Sequence, residues 1–219
     1  MTRRLVLVLA FLLPVTETAD AQIIRSSRSN APIGFVSLGI GWFQQQGLCN
    51  EASNSCWDFG SGPQWRATVE LPVGNGASFG VAGTMGRMPL TYDGGVGTAS
   101  CGQCDADANI SQILALFRIG GGSGFHQVID LSAGVTLFSN FRRSDSGTRL
   151  GDGKMVQNYN FSIGYGFGYS LSPRTSIQLV QDYGLLIHGR VPGSSDNTAQ
   201  QSSTRIGVRL GLGERGRGF

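Results

Sequence analysis

An eight-stranded antiparallel, up-and-down transmembrane β-barrel is the fold class that the sequence predicts, and three observations carry it. The first is a stretch, residues 157–171, woven from two unlike sets. Tyr159, Phe161, Ile163, Tyr165, Phe167, Tyr169 and Leu171 take the odd positions; Asn158, Asn160, Ser162, Gly164, Gly166, Gly168 and Ser170 take the even ones. Successive side chains of a strand point to opposite faces, so this is one strand with a bulky apolar face and a small polar one. It is longer than a usual soluble strand and exceeds the roughly 9–11 residues that a tilted strand needs to cross a bilayer. The second observation is that seven further segments repeat the pattern. The third is that their connections alternate long and short, as in membrane barrels, whose turns are short on one side and whose loops are long on the other.

Ahead of the barrel, Arg3 and Arg4 are followed by an apolar run over residues 5–15 and by Ala19-Asp20-Ala21. A basic start, an apolar run too short for a membrane-spanning helix and a small-x-small site describe a secretory signal peptide. Cleavage is expected after Ala21, so residues 1–21 are a leader and residues 22–219 one domain.

The first strand, residues 33–43, sets Val36, Leu38, Ile40 and Trp42 against Ser37, Gly39 and Gly41. A long loop over residues 44–62 follows. The second strand, residues 64–71, sets Trp65, Ala67, Val69 and Leu71 against Arg66, Thr68 and Glu70. Val73-Gly74-Asn75-Gly76 then makes a hairpin turn, because Asn-Gly suits the positive φ angles that such turns require. The third strand, residues 77–88, sets Phe79, Val81 and Met85 against Ser78, Gly80, Ala82 and Thr84, and a second long loop runs over residues 89–104. The fourth strand, residues 108–119, carries Ile113, Ala115, Phe117 and Ile119 against Gln112 and Arg118, with Leu114 and Leu116 breaking the parity.

After a turn over residues 120–124, the fifth strand, residues 125–139, sets Ile129, Leu131, Ala133, Val135 and Leu137 against Asp130, Ser132, Gly134 and Thr136. A third long loop, residues 140–156, leads to the sixth strand at residues 157–171. Ser172-Pro173-Arg174-Thr175 is a short turn into the seventh strand, residues 176–188, where Ile177, Leu179, Tyr183, Leu185 and Ile187 face away from Gln178, Asp182 and Gly184. A fourth long loop, residues 189–203, precedes the eighth strand, residues 204–212, which alternates Ile206, Val208, Leu210 and Leu212 with Arg205, Gly207, Arg209 and Gly211.

The crowding of Gly, Ser and Ala on the polar face suits the inside of a narrow barrel, so the apolar face is expected to meet lipid. The polar face also carries Arg66, Glu70, Arg118, Asp130, Asp182, Arg205 and Arg209. An eight-stranded barrel is just wide enough for side chains to fill it. These seven are therefore expected to pair as a salt-bridged plug, since buried charges need partners. On the other face Trp42, Trp65 and Tyr159 near one end, and Phe79, Phe167 and Tyr169 near the other, match the aromatic girdles of a membrane barrel.

Four cysteines, Cys49, Cys56, Cys101 and Cys104, in an exported chain favour two disulfides. The spacing leaves three connectivities open: 49–56 with 101–104, or either crosswise pairing. Cys101-Gly-Gln-Cys104 also resembles a redox or zinc motif, but it sits in a Gly/Ser/Asp stretch with no histidine nearby. Asp105/Asp107 and Asp145/Asp152 read as solvated loop charges, so no metal or other cofactor is expected. A net charge of +3, dispersed along the chain, does not point to nucleic acid.

Leader, eight amphipathic strands and a terminal Phe219 together resemble the small outer-membrane β-barrel family of the OmpA transmembrane domain and OmpX. The resemblance is one of pattern over residues 22–219, without a diagnostic motif. It departs at the end: Phe219 is out of phase with the outward residues of the last strand, so either that strand stops early before a short basic tail or a bulge shifts the phase. The resemblance implies a monomeric protein of a Gram-negative-type outer membrane, in contact with lipid, lipopolysaccharide and the outer-membrane assembly machinery. An even number of strands puts both termini on the periplasmic side. A structural or surface role is expected, with disulfide-stiffened extracellular loops as the interaction surface for an extracellular ligand.

Catalysis is not expected. The two histidines, His126 and His188, lie at strand ends on the polar face. His188 and Asp182 are six positions apart on one strand, about 20 Å by strand rise. Eight-stranded enzymes that deacylate or acylate lipid A use Ser/His/acid sets, and their motif contexts do not occur here. The alternatives carried forward are such a lipid A-modifying hydrolase or acyltransferase, and a narrow ion or solute channel formed if the plug opens.

Overall fold

A computed structural model describes residues 32–50, 53–74, 76–94, 101–151, 155–188 and 197–213. The expected leader (residues 1–21), Asn75, Asp152 and Phe219 with its basic approach lie outside the described residues. The described residues form ten strands in one antiparallel sheet: β1 (Gly34–Gln45), β2 (Leu48–Asn50), β3 (Ser55–Phe59), β4 (Ser61–Gly74), β5 (Ala77–Gly94), β6 (Cys101–Ile119), β7 (Gly124–Arg143), β8 (Val156–Ser172), β9 (Thr175–Ile187) and β10 (Thr198–Leu212). Eight of them close a barrel. The sheet runs β5-β4-β1-β10-β9-β8-β7-β6, and β5 pairs with β6 along its length to complete the ring. First and last strands meet from Gly34 opposite Leu212 to Gln45 opposite Gln201. The eight predicted barrel strands are these eight, in the predicted order.

The barrel is inside out relative to a soluble one. Leu38 is 71% exposed, Phe125 69% and Ile163 53%, whereas Glu70 and Asp130 are 0% and Arg118 1% exposed. Trp42, Trp65, Phe79, Tyr159, Phe167 and Tyr169 all lie on the exposed apolar belt. A belt of this size is tolerated only where the surrounding solvent is itself hydrocarbon. Between Tyr159 and Leu171 the apolar face of β8 runs roughly 40 Å at about 3.4 Å per residue, or about 30 Å along the membrane normal at a tilt near 45°. The fold is therefore a transmembrane β-barrel. Ile163 stands well inside this belt, opposite Leu131 and Tyr183. Ile163→Arg is expected to destabilise the barrel by about 2–4 kcal/mol, read from urea unfolding in lipid vesicles.

Two glycines of β8 make room for the interior. A Cβ on Gly164 would run into the Asp182 carboxylate, and one on Gly168 into the His126 ring. They are the lumen-clearing positions that the alternation of β8 suggests. Leu114 and Leu116, which break the parity of β6, point inward and pack with Ala82 as a small apolar patch of the lumen wall.

The long-loop end departs from the expected boundaries. The stretch read as one loop over residues 44–62 contains β2 and β3, and β4 already begins at Ser61. β5 continues to Gly94 and β6 starts at Cys101, so most of residues 89–104 is strand and Cys101 and Cys104 stand on it. β7 runs to Arg143, and β10 begins at Thr198 rather than near residue 204. The reason is a change of phase in what each face carries. Above Met85 and Ile113 the outward residues become Arg87, Thr91, Asp93, Asp105 and Asn109, while the inward ones become Met88, Leu90, Tyr92, Ala106, Ala108 and Ile110. The same strands thus leave hydrocarbon and continue as the wall of a soluble-type lobe.

That lobe has its own core. Trp57, Phe59, Tyr92, Phe138, Phe141 and Met88 are buried there together with Phe43 and Leu186 from the rim of the barrel. Trp57 lies 4.4 Å from Phe141 and 5.5 Å from Phe138 between ring centroids, and edge-on to Phe59 at 6.2 Å. A bulge aims Phe141. Asn109 faces Ser139 while Asp107 faces Arg142, so two residues of β7 oppose the single Ala108. Asn140 takes the left-handed conformation there, at φ 58°, which asparagine tolerates better than most residues. Phe141 is turned inward as a result, onto the same side as Phe138.

Candidate functional site

The lumen is crossed by an alternating chain of charges. Arg209 Nη2 donates to Glu70 Oε2 at 2.8 Å, and Arg118 Nη1 to Glu70 Oε1 at 2.7 Å. Arg118 then grips Asp130 with two hydrogen bonds, Nε at 2.6 Å and Nη2 at 2.8 Å. Asp130 also receives Arg205, and Arg205 Nε donates to Asp182 at 2.7 Å. The order is Arg209–Glu70–Arg118–Asp130–Arg205–Asp182, three cations and three anions taken from β10, β4, β6, β7 and β9. The Arg118–Asp130 link is local, since the two face each other in the β6–β7 register. Arg205–Asp182 joins the neighbouring strands β10 and β9, and the other three links connect strands that are not paired with each other.

Hydroxyls complete the carboxylates. Glu70 accepts from Thr68 at 2.9 Å and Ser78 at 2.7 Å, and Asp182 accepts from Ser203 at 3.2 Å. The Arg209 guanidinium lies over the Phe35 ring, 3.5 Å from its centroid. Bidentate, charge-assisted contacts of this kind are what make a buried ion pair tolerable. Of the seven charges that the sequence places in the lumen, the structure joins six. Arg66 is buried with them but forms no ion pair among the described residues; its Nη2 reaches only Ser132 Oγ, at 3.5 Å.

Above the charges sits a neutral layer. Gln112 Nε2 donates to Thr136 at 3.2 Å and to Gln201 Oε1 at 3.1 Å, while Gln201 Nε2 donates to Asn160 Oδ1 at 2.6 Å and Asn160 Nδ2 to Thr136 at 3.1 Å. The apolar core of the lobe covers this layer. Ion chain, amide layer and apolar cap therefore fill the interior in succession from the short-turn end to the long-loop end. The sequence gives no direct sign of the amide layer, because Gln and Asn on the inner face look alike whether bonded to each other or to water.

The lobe carries both disulfides. Cys49 is bonded to Cys56 across the β2–β3 pair, where the two residues face each other directly. Cys101 is bonded to Cys104 within β6, beside Tyr92 and Gly94 of β5. Of the three connectivities left open by the spacing, this is the one that keeps each bond within its own segment, and the strands explain it: one pair faces across β2–β3 and the other lies along β6. Cys101 and Cys104 pack against the apolar core. Outside, Asp107 meets Arg87 at 3.3 Å and accepts from Ser144, and Asp145 meets Arg143 at 2.7 Å. The Arg143 hydrogen bond holds the Asp145 carboxyl below its ordinary range. Among the described residues no three His, Cys, Asp or Glu side chains come together as a metal site.

The histidines stand apart from one another and from the ion chain. His126 is at the short-turn mouth, with Nδ1 3.1 Å from the Gly124 carbonyl and its ring against Gly168. That mouth is a depression of about 490 Å³ shared with Arg174, Arg209 and Ser176. His188 lies at the opposite end, its backbone N–H donating to the Asn197 carbonyl at 2.9 Å. No Ser/His/carboxylate set is assembled around His126 among the described residues.

No protein-family model matches the sequence, and no curated protein matches it. Among solved structures the chain is similar to Neisserial surface protein A, at 13% identity over 82% of this chain and 97% of that one, with a TM-score of 0.47. It is similar to the outer membrane protein OprG from Pseudomonas aeruginosa at 12% identity over 84% and 97%, with a TM-score of 0.48. It is also similar to Ail, the attachment invasion locus protein of Yersinia pestis, at 15% identity over 81% and 99%, with a TM-score of 0.40. The burial pattern, the ion chain and the lobe are set by this chain's own residues.

Proposed function

We propose that this chain is a monomeric outer-membrane barrel of a Gram-negative-type bacterium, closed to solutes, whose lobe is a rigid docking surface for a partner outside the cell. The observation that carries this reading is the apolar core under the long-loop end. Loops at a barrel rim are ordinarily the least ordered part of the protein. Here Trp57, Phe138 and Phe141 hold the hairpins together from within, one disulfide ties β2 to β3, and a second, within β6, packs against the same core. A surface ordered in advance loses less entropy on binding. The filled lumen supports a role at the surface rather than transport, and the arrangement around His126 gives no support to a hydrolase.

In this reading both termini are periplasmic, outer-membrane lipid and lipopolysaccharide surround the belt, and the assembly machinery inserts the barrel. The experiment replaces residues 50–55, between Cys49 and Cys56, and residues 95–100, between β5 and β6, each with Asn-Gly. The barrel itself is expected to persist, seen as a heat-dependent gel shift, because its hydrogen bonds close within the ring. Surface phenotypes of the producing cells, such as attachment and serum survival, are expected to fall to those of a deletion strain. Unchanged phenotypes with an intact barrel would remove the docking role, and regular conductance steps of the wild-type protein in a planar bilayer would favour a channel instead.

A further inference from the structure

We infer that the lumen binds one small inorganic anion, of the halide class, against Arg66. The inference begins with charge. The six-residue chain from Arg209 to Asp182 is neutral, with each carboxylate held by at least one guanidinium. Arg66 is the seventh charge and has no ion-pair partner among the described residues. It is 8% exposed, its Nε has no hydrogen-bond partner among the described residues, and its one side-chain hydrogen bond among them is a 3.5 Å approach to Ser132. A guanidinium cannot shed its proton to escape burial, as a lysine can. An uncompensated charge in a protein interior inside a membrane costs several kcal/mol, and the remedy that remains is a counter-ion.

The second observation is a chamber at that side chain. Arg66, Gln64, Gln112, Gln201, Ser162 and Asp182 line it, and it has about 10 Å³ of room, that of one water-sized particle. Size narrows the ligand: phosphate, sulfate or a carboxylate is far larger than one water-sized particle, which leaves a monoatomic anion as the candidate. Asp182 does not repel it fully, because Arg205 and Ser203 already hold that carboxylate. Water alone would supply hydrogen bonds to Nε but leave the charge uncompensated. A halide supplies both.

The test is a bromide experiment on the folded protein in detergent. Crystals grown in sodium bromide are expected to show one anomalous peak at hydrogen-bond distance from the Arg66 guanidinium, and crystals of Arg66→Met none there. In solution the unfolding midpoint of the wild type is expected to rise with the logarithm of chloride or bromide concentration, compared with gluconate at equal ionic strength, and that of Arg66→Met to stay flat. If Arg66→Met does not fold, Arg66→Lys serves in its place, with the halide response weakened. Water-only density at Arg66 in bromide crystals would overturn the inference. So would a bromide peak that persists there in the Arg66→Met protein.

Discussion

Asp130→Ala is expected to lower the stability of the folded barrel by about 3–5 kcal/mol, measured as the loss in urea-unfolding free energy in vesicles. Asp130 is the carboxylate that Arg118 and Arg205 share, and it is fully buried. Its removal leaves Arg118 with Glu70, which Arg209 already claims, and Arg205 with Asp182 alone. The lumen then holds one more guanidinium than its carboxylates can pair, in addition to Arg66. The same physics gives the control. Arg118→Met combined with Asp130→Leu removes the central pair whole, and what is left is two neutral pairs, Arg209–Glu70 and Arg205–Asp182. That double variant is expected to regain most of the stability that Asp130→Ala loses, because replacing a buried pair by apolar groups is often neutral. A double variant as unstable as the single one would show that the two residues contribute through shape rather than charge.

Trp57→Ala is expected to cost about 3–5 kcal/mol, but in the lobe rather than in the barrel. Trp57 is the largest fully buried side chain among the described residues, and it touches Phe59, Phe138 and Phe141 at once. The cavity left by its removal opens between three hairpins. Fast hydrogen exchange over β3 and the upper parts of β5, β6 and β7, together with protease cleavage near residues 50–55, is the expected signature. The heat-dependent gel shift is expected to remain, since the ring of hydrogen bonds below Met85 and Ile113 does not depend on the lobe. Loss of both together would mean that barrel and lobe unfold as one unit.

The barrel was legible because alternation on a strand reports two solvents, and here each solvent selects its side strongly. Leu131 and Asp130 are neighbours in sequence with opposite surroundings, and nothing but a strand places them so. The seven charges could be assigned to the lumen by parity alone. Which of them would stand alone could not, because that depends on the tilt and register that set Arg118 directly opposite Asp130 while Arg66 faces Ser132. The lobe was hidden by the same rule that revealed the barrel. Past Met85 the bulky residues change sides, so Met88, Leu90 and Tyr92 alternate with Arg87, Thr91 and Asp93 in a phase that looks like the end of the pattern. Alternation in fact continues, and its reversal marks where the outer surface passes from hydrocarbon to water. Phe141 was further concealed by the bulge at Asn140, which moves it by one step relative to Phe138.

The ion chain also constrains the order in which the protein can be built. Arg205 and Arg209 stand on β10, the last of the eight barrel strands along the chain, and they hold Asp182, Asp130 and Glu70. A seven-stranded precursor has three carboxylates facing the future lumen and only Arg66 and Arg118 to meet them. Arg118 can hold Glu70 and Asp130, but Asp182 has no guanidinium partner and the β1 edge is unpaired, and both faults are met in the single event that docks β10 on β1. Premature entry into lipid is therefore penalised twice, by electrostatics and by open backbone, until the final strand arrives. The carboxylates of the finished lumen thus gain their last partners only when the barrel closes.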